Sequence, residues 1–101
     1  MAVITFQFLK SHKDIILRTL EFEGDGSDIN NTDGSIQRNI VGLLDINVYV
    51  EGKKAAIGKT WSLIVSVNGK PIITSNGTGT INAPIGKNGT SAYYGAHAWY
   101  V

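Results

Sequence analysis

Apolar residues recur at every second position along much of this chain, and that spacing restricts the fold more than any other feature. The segments 4–8, 16–22, 36–50 and 61–67 all show this alternation, interrupted at Arg18 in the second segment. A β-strand points successive side chains to opposite faces, so an alternating segment has one apolar and one polar face. The pattern predicts a chain built of strands that each bury one face.

The long segment 36–50 is predicted to form two strands that meet at a corner. Gly42 stands in its middle, where a glycine is typical of a bulge or a sharp bend. Helical alternatives exist at two places, because Ser11 and Ser35 each stand where a helix N-cap would precede apolar residues. The many β-branched residues favour strands over both helices.

Asn68-Gly69 predicts a β-hairpin with a two-residue turn, because both turn residues need a positive φ. The register of this hairpin would place Val67 opposite Lys70, Ser66 opposite Pro71 and Ile64 opposite Ile73. Proline donates no backbone hydrogen bond, so the strand from Lys70 is expected at a sheet edge. Trp61, Leu63, Val65 and Val67 would face the core, and the Ile64–Ile73 pair would need cover from another element or a second subunit.

Taken together, the segments predict about seven short strands in a single β domain over residues 1–101. The expected architecture is an antiparallel β sandwich, with a small barrel as the alternative. The hydrophobic content of 43% and the charged content of 17% are ordinary for a globular chain. The absence of cysteine excludes a disulfide scaffold and cysteine metal sites.

The charges are divided unevenly between the two halves of the chain. All eight acidic residues lie between Asp14 and Glu51, so the first 51 residues carry a formal charge of −4 and the last fifty carry +5. A site made only of residues after Glu51 would therefore be neutral or cationic. Such a site suits recognition of sugars or protein surfaces better than acid–base catalysis.

The C-terminal segment supplies the candidate ligand-binding residues. Tyr93, His97 and Trp99 fall on one face of the predicted last strand, and Asn88 and Thr90 precede them in a polar loop. Aromatic rings stack on the apolar faces of sugars, and amides and hydroxyls bind sugar hydroxyls. The alternative is that this aromatic face belongs to the core.

The loop from Glu23 to Gly34 contains the candidate metal ligands Asp25, Asp28 and Asp33. Carboxylate and amide oxygens are the ligands that Ca²⁺ prefers, but the spacing of an EF-hand is not met. Aspartate, asparagine and glycine are also typical of any exposed loop. The expectation is therefore no cofactor, with calcium as a minor alternative.

Other function classes are not favoured. The two histidines, His12 and His97, lie far apart and no nucleophile motif accompanies them, so we expect no enzyme. The lysines are single and not interleaved with aromatic residues, so nucleic-acid binding is not expected. The chain shows no signal peptide and no apolar run long enough for a membrane span, which predicts a cytoplasmic or non-classically released protein.

The function expected from the sequence is a non-enzymatic, lectin-like module that binds a glycan or a protein surface as a homo-oligomer. Oligomers compensate for weak single sugar sites through avidity. The alternative is a structural, assembly or toxin-component protein that uses the aromatic C-terminal strand as a subunit interface.

Overall fold

The computed structural model describes residues 2–24, 33–40, 42–74 and 77–98. Almost all of the regular structure in these residues is β-strand, with one short 3-10 helix at Lys54–Ala56. The strands are β1 (Ala2–Lys10), β2 (Ile15–Phe22), β3 (Asp33–Arg38), β4 (Leu43–Gly52), β5 (Thr60–Val67), β6 (Lys70–Pro71), β7 (Ile73–Thr74), β8 (Gly77–Thr78), β9 (Thr80–Pro84) and β10 (Thr90–Ala98). None of the helical structure in these ranges is long and apolar enough to cross a membrane.

Two antiparallel sheets form the body of the protein. The large sheet has the order β3-β1-β5-β6, with β9 also paired to β5, and the small sheet has the order β10-β4-β2. β7 and β8 form a separate two-residue ladder. The prediction of an all-β antiparallel sandwich is confirmed, and seven of the strands in the described ranges have five or more residues.

The core lies between the two sheets and contains the inward faces that the alternation predicts. Trp61, Leu63, Val65 and Val67 are all 0–1% exposed, as expected for one face of β5. The ring of Phe6 in the large sheet lies 5.6 Å from the ring of Phe22 in the small sheet, measured between centroids. Side chains of both sheets therefore interdigitate in one apolar cluster.

A bulge in β2 corrects the prediction for Ile16. Leu17 pairs with Val50 but Thr19 pairs with Tyr49, so Arg18 is an extra residue opposite the partner strand. The extra residue reverses the alternation, which places Ile15 in the core and leaves Ile16 at the surface. The expectation that Ile16 shares the buried face of Leu20 and Phe22 is wrong.

The predicted corner in the segment 36–50 is confirmed. β3 belongs to the large sheet and β4 to the small sheet, with Gly42 between them at φ +84°. Glycine adopts this left-handed conformation without steric cost. The helical alternatives after Ser11 and Ser35 are not adopted, because Ile15–Phe22 and Asp33–Arg38 are strands.

The hairpin at Asn68-Gly69 has the predicted register only near its turn. Val67 pairs with Lys70 and Ser66 pairs with Pro71, at the predicted edge of the sheet. Beyond this point the chain leaves β5, so the predicted Ile64–Ile73 pair is wrong. Ile64 instead pairs with Thr80 of β9, and Ile73 pairs with Thr78 of β8.

The departure occurs at Val65, where two segments meet one strand. The Ile72 backbone N–H donates to the Val65 carbonyl, and the Val65 N–H donates to the Gly79 carbonyl. Gly79 has φ +81°, and a Cβ atom at this position would lie 2.9 Å from Pro71 Cβ. Glycine at this position thus lets β9 replace β6 as the partner of β5.

Candidate functional site

The two faces of β10 have opposite environments. The odd-numbered residues from Ser91 to His97 face the core. Ser91 and His97 themselves are buried. The even-numbered residues Ala92, Tyr94 and Ala96 face outward and are exposed. Tyr93 and His97 therefore point inward and Tyr94 points outward, as alternation along a strand requires.

Tyr93 and His97 form a stacked, hydrogen-bonded pair on the inward face. Their rings are nearly parallel, at 8°, with centroids 5.6 Å apart. The Tyr93 ring crosses Gly95, where an added Cβ atom would lie 3.0 Å from the Tyr93 hydroxyl oxygen. Glycine at position 95 leaves the space that lets the tyrosine ring reach His97.

For a neutral imidazole, the hydrogen bonds of His97 select one of the two tautomers. His97 Nδ1 lies 2.7 Å from the Ile73 carbonyl, which only accepts, so Nδ1 carries the proton. His97 Nε2 then accepts from the Tyr93 hydroxyl at 2.5 Å. Burial raises the pKa of the Tyr93 phenol above its usual value. The pair thus links β10 to Ile73 of β7, and both ring nitrogens of His97 have a hydrogen-bond partner.

Asn88 and Thr90 lie on the outward side, away from this pair. Asn88 Oδ1 accepts from the Thr90 N–H at 3.1 Å and from the Thr90 hydroxyl at 2.8 Å. The sequence grouped these two residues with Tyr93 and His97, but the structure places the two groups on different faces of β10. Trp99, the fifth candidate, lies outside the described residues.

The outward face of the small sheet brings together rings, an amide and carboxylates. Tyr94 is 81% exposed, and Tyr49 occupies the diagonal position on β4. Asn47 lies directly opposite Tyr94, and its Nδ2 donates to Glu21 Oε1 of β2 at 2.8 Å. We call this surface the tyrosine face, defined by Tyr94, Tyr49, Asn47 and Glu21.

The tyrosine face combines both halves of the chain, which the charge distribution alone did not predict. β10 comes from the half without acids, whereas β4 and β2 come from the acidic half. Glu23 Oε1 also accepts from the Asp45 N–H at the edge of this surface. A ligand on Tyr94 would therefore meet carboxylates, which no site made only of C-terminal residues would provide.

A cavity of about 350 Å³ opens at the other end of the same sheet. Its walls contain two carboxylates, two cations, an amide, a hydroxyl and one apolar side chain. These lining residues are Asp14, Ile16, Arg18, Glu51, Gly52, Lys53, Asn88, Gly89 and Thr90. The volume is in the range of small-ligand sites, and the lining includes two of the predicted ligand-binding residues, Asn88 and Thr90.

Two features position the cavity walls. Gly89 has φ +80°, and a Cβ atom there would lie 2.9 Å from the Gly52 carbonyl oxygen, so the turn at Asn88 packs closely against the end of β4. The bulge residue Arg18 reaches across the sheet, and its Nε lies 3.1 Å from Glu51 Oε2. Bulge and turn together bring side chains of β2, β4 and the Asn88 turn to one opening.

Of the three candidate metal ligands, only Asp33 belongs to the described residues. Asp25 and Asp28 lie outside them, and Asp33 is exposed at the start of β3. The described ranges contain no group of three histidine or acidic side chains able to hold a metal ion. His12, the other histidine, accepts at Nδ1 from the Asp14 N–H at 3.1 Å.

Sequence reasoning missed Tyr94 and Tyr49 as candidate residues. The signal was present, since Tyr94 alternates with Tyr93 and stands between two alanines. What the sequence did not show was which face of β10 is buried. The face with Ala92, Tyr94 and Ala96 is the exposed one.

No protein-family model, no curated protein and no solved structure matches this chain.

Proposed function

We propose that the protein is a non-enzymatic, lectin-like module that binds carbohydrate on the tyrosine face. The observation that carries this proposal is the exposure of Tyr94 in the middle of a regular strand. Neighbours on the same face of β10 are the small residues Ala92 and Ala96, so the ring of Tyr94 is accessible to a flat partner. Sugar rings present such a flat, apolar surface.

The polar groups beside Tyr94 suit sugar hydroxyls. The carboxylate of Glu21 and the amide of Asn47 form a hydrogen-bonded pair that presents both acceptors and donors. A hydroxyl both donates and accepts, so it complements such a pair better than an ion of either sign would. Tyr49 extends the surface toward the cavity, where Asn88 and Thr90 supply further amide and hydroxyl groups.

A glycan array with matched variants tests the proposal. Tyr94→Ala is expected to weaken glycan binding roughly tenfold, because a stacked ring contributes about 1 kcal/mol or more. Its melting temperature should stay unchanged, since Tyr94 is exposed. Gln37→Ala, at an exposed position on the large sheet, is the matched control and should bind like the wild type. Absence of binding to any glycan, or equal binding by both variants, would refute the proposal.

We also propose that the protein assembles through the free edge of β10. In the described residues β10 pairs only with β4, and its other edge carries no lysine, no aspartate and no proline. Natural edge strands usually carry such residues to prevent pairing with another chain. A second copy that pairs antiparallel along β10 would join two small sheets and bring two tyrosine faces together. The same edge would serve the alternative function, a structural or assembly protein.

Replacing an edge residue tests this assembly. The Thr90 N–H and C=O point away from β4, toward Asn88 and Gly86. Backbone direction alternates along a strand, so Ala92 also presents its N–H at the free edge. Ala92→Pro should therefore keep the fold and give a monomer in analytical ultracentrifugation, whereas Ser35→Pro on β3 of the large sheet should leave the assembly unchanged. A wild-type monomer at all concentrations would contradict the proposal.

A further inference from the structure

Three loops meet at one end of the sandwich and are hydrogen-bonded to each other. They are residues 10–15, 52–60 and 84–90, which connect strands of different sheets. The Lys53 N–H donates to the Asp14 carbonyl, and the Ser11 N–H donates to the Thr60 carbonyl. The Gly58 N–H donates to the Ile85 carbonyl, which joins the second loop to the third. We call this end the three-loop end.

The three-loop end concentrates positive charge that is far apart in the sequence. Its lysines are all exposed, and they are Lys10, Lys13, Lys53, Lys54, Lys59 and Lys87. With Asp14 as the one acidic residue of the three loops, their formal charge is +5. The chain as a whole carries +1, so all other residues together carry −4. The fold therefore gathers the positive charges of three separate segments at one end.

Among the described residues, these charges are not neutralised by carboxylates. Within the described ranges, none of the six lysines forms an ion pair with a carboxylate. The nearby Glu51 is already paired with Arg18. Lys10 differs from the others, because its Nζ donates to the Ile15 carbonyl at 3.1 Å and so holds the first loop. The remaining five ammonium groups are available to an external anion.

We propose that the three-loop end binds a sulfated polysaccharide. Lysine acts as a strongly hydrated point charge, which suits sulfate groups spaced along a flexible polymer. Five ammonium groups on three loops form an extended surface, so several sulfates of one chain bind together and gain avidity. Net charge of one sign also accelerates the encounter with a polyanion. This site is separate from Tyr94 and does not depend on the proposed function of the tyrosine face.

The side chains of the three-loop end favour this polyanion over two others. Single-stranded nucleic acid is bound by stacking its bases on exposed aromatic rings, and these three loops contain no phenylalanine, tyrosine or tryptophan. A membrane surface favours several inserted apolar side chains, and Ile57 is the one large apolar side chain exposed in these loops. Recognition of sulfate by charge requires neither feature.

The experiment compares dextran sulfate with uncharged dextran as immobilised ligands, using biolayer interferometry across a range of salt concentrations. The wild-type protein should bind dextran sulfate and not dextran. The variant K13Q/K54Q/K87Q removes one lysine from each loop and keeps side-chain length. Its binding should weaken strongly, with the slope of log affinity against log salt reduced by roughly one per lysine removed. Lys70→Gln, at the hairpin outside these loops, should change neither value.

Four results would overturn the proposal. They are no binding to dextran sulfate, an equal loss in Lys70→Gln, tighter binding to single-stranded poly(dT), and tighter binding to vesicles of phosphatidylserine and phosphatidylcholine. Circular dichroism tests whether the triple variant is folded. Tyr94→Ala should bind dextran sulfate like the wild type, and the triple variant should keep its neutral-glycan binding. The two proposed sites can therefore fail independently.

Discussion

His97 shows at the residue scale how a polar side chain becomes part of the core. Both ring nitrogens are satisfied, one by the Ile73 carbonyl and one by the Tyr93 hydroxyl. A buried polar group without a partner is costly, whereas a satisfied one stabilises the position of its strand. The sequence placed His97 and Tyr93 on one face correctly, but it did not decide between a ligand site and this internal role.

Tyr93→Phe is expected to lower the free energy of unfolding by about 1–2 kcal/mol, because His97 Nε2 loses its donor inside the protein. Urea denaturation followed by circular dichroism measures the change. Tyr94→Phe is the matched control, since that hydroxyl is at the surface, and it should leave stability unchanged. Equal stability of both variants would contradict the structural role of the Tyr93–His97 pair.

The raised pKa of Tyr93 predicts a pH dependence at the alkaline side. Burial disfavours the phenolate, so the folded protein holds this proton more tightly than the unfolded chain does. The stabilising contribution is complete below the unfolded pKa of about 10 and is lost as the pH rises through the raised pKa. Titration of tyrosine absorbance in the near ultraviolet should show a late-ionising tyrosine that is missing in Tyr93→Phe.

At the scale of the elements, the exchange of β6 for β9 beside β5 depends on one glycine. Gly79 combines a positive φ with a close approach to Pro71. The sequence predicted the turn at Asn68-Gly69 because turn chemistry is local. It did not predict where the strand would leave the sheet, because that depends on a residue ten positions beyond the turn, at the re-entry of β9.

Gly79→Ala is expected to destabilise the protein more than Gly58→Ala does. Both glycines have nearly the same φ, +81° and +83°, so both substitutions have a similar backbone cost, about 1–2 kcal/mol. Only at Gly79 does the new methyl group clash, with Pro71, which adds about 1 kcal/mol or more. Urea denaturation of the two variants gives the difference, and equal losses would contradict the account of the strand exchange.

At the scale of the whole molecule, a buried hydrogen bond joins the two sheets. Trp61 Nε1 of β5 donates to Ser91 Oγ of β10 at 2.9 Å. Both side chains are buried, and the two residues are thirty positions apart in sequence. The sequence around either residue does not predict this contact, because the two sheets come together only when the core forms.

Ser91→Ala leaves the indole N–H of Trp61 without its partner and is expected to cost about 1–3 kcal/mol. The tryptophan emission maximum should also shift, since the polarity around the indole changes. Ser35→Ala, at an exposed position on β3, should change neither stability nor emission. A Ser91→Ala variant as stable as the wild type would show that this bond does not hold the sheets together.

The sequence by itself determined that this chain is an antiparallel β protein, which faces of β1 and β5 are buried, and where Gly42 divides two strands. These properties follow from alternation and turn chemistry, which act over a few neighbouring residues. Only the tertiary structure decided which face of β10 is outward and that the bulge at Arg18 reverses β2. It also decided that six lysines share one end. Strand pairing and loop contacts join residues distant in sequence, and one added residue in a strand moves every later side chain to the other face.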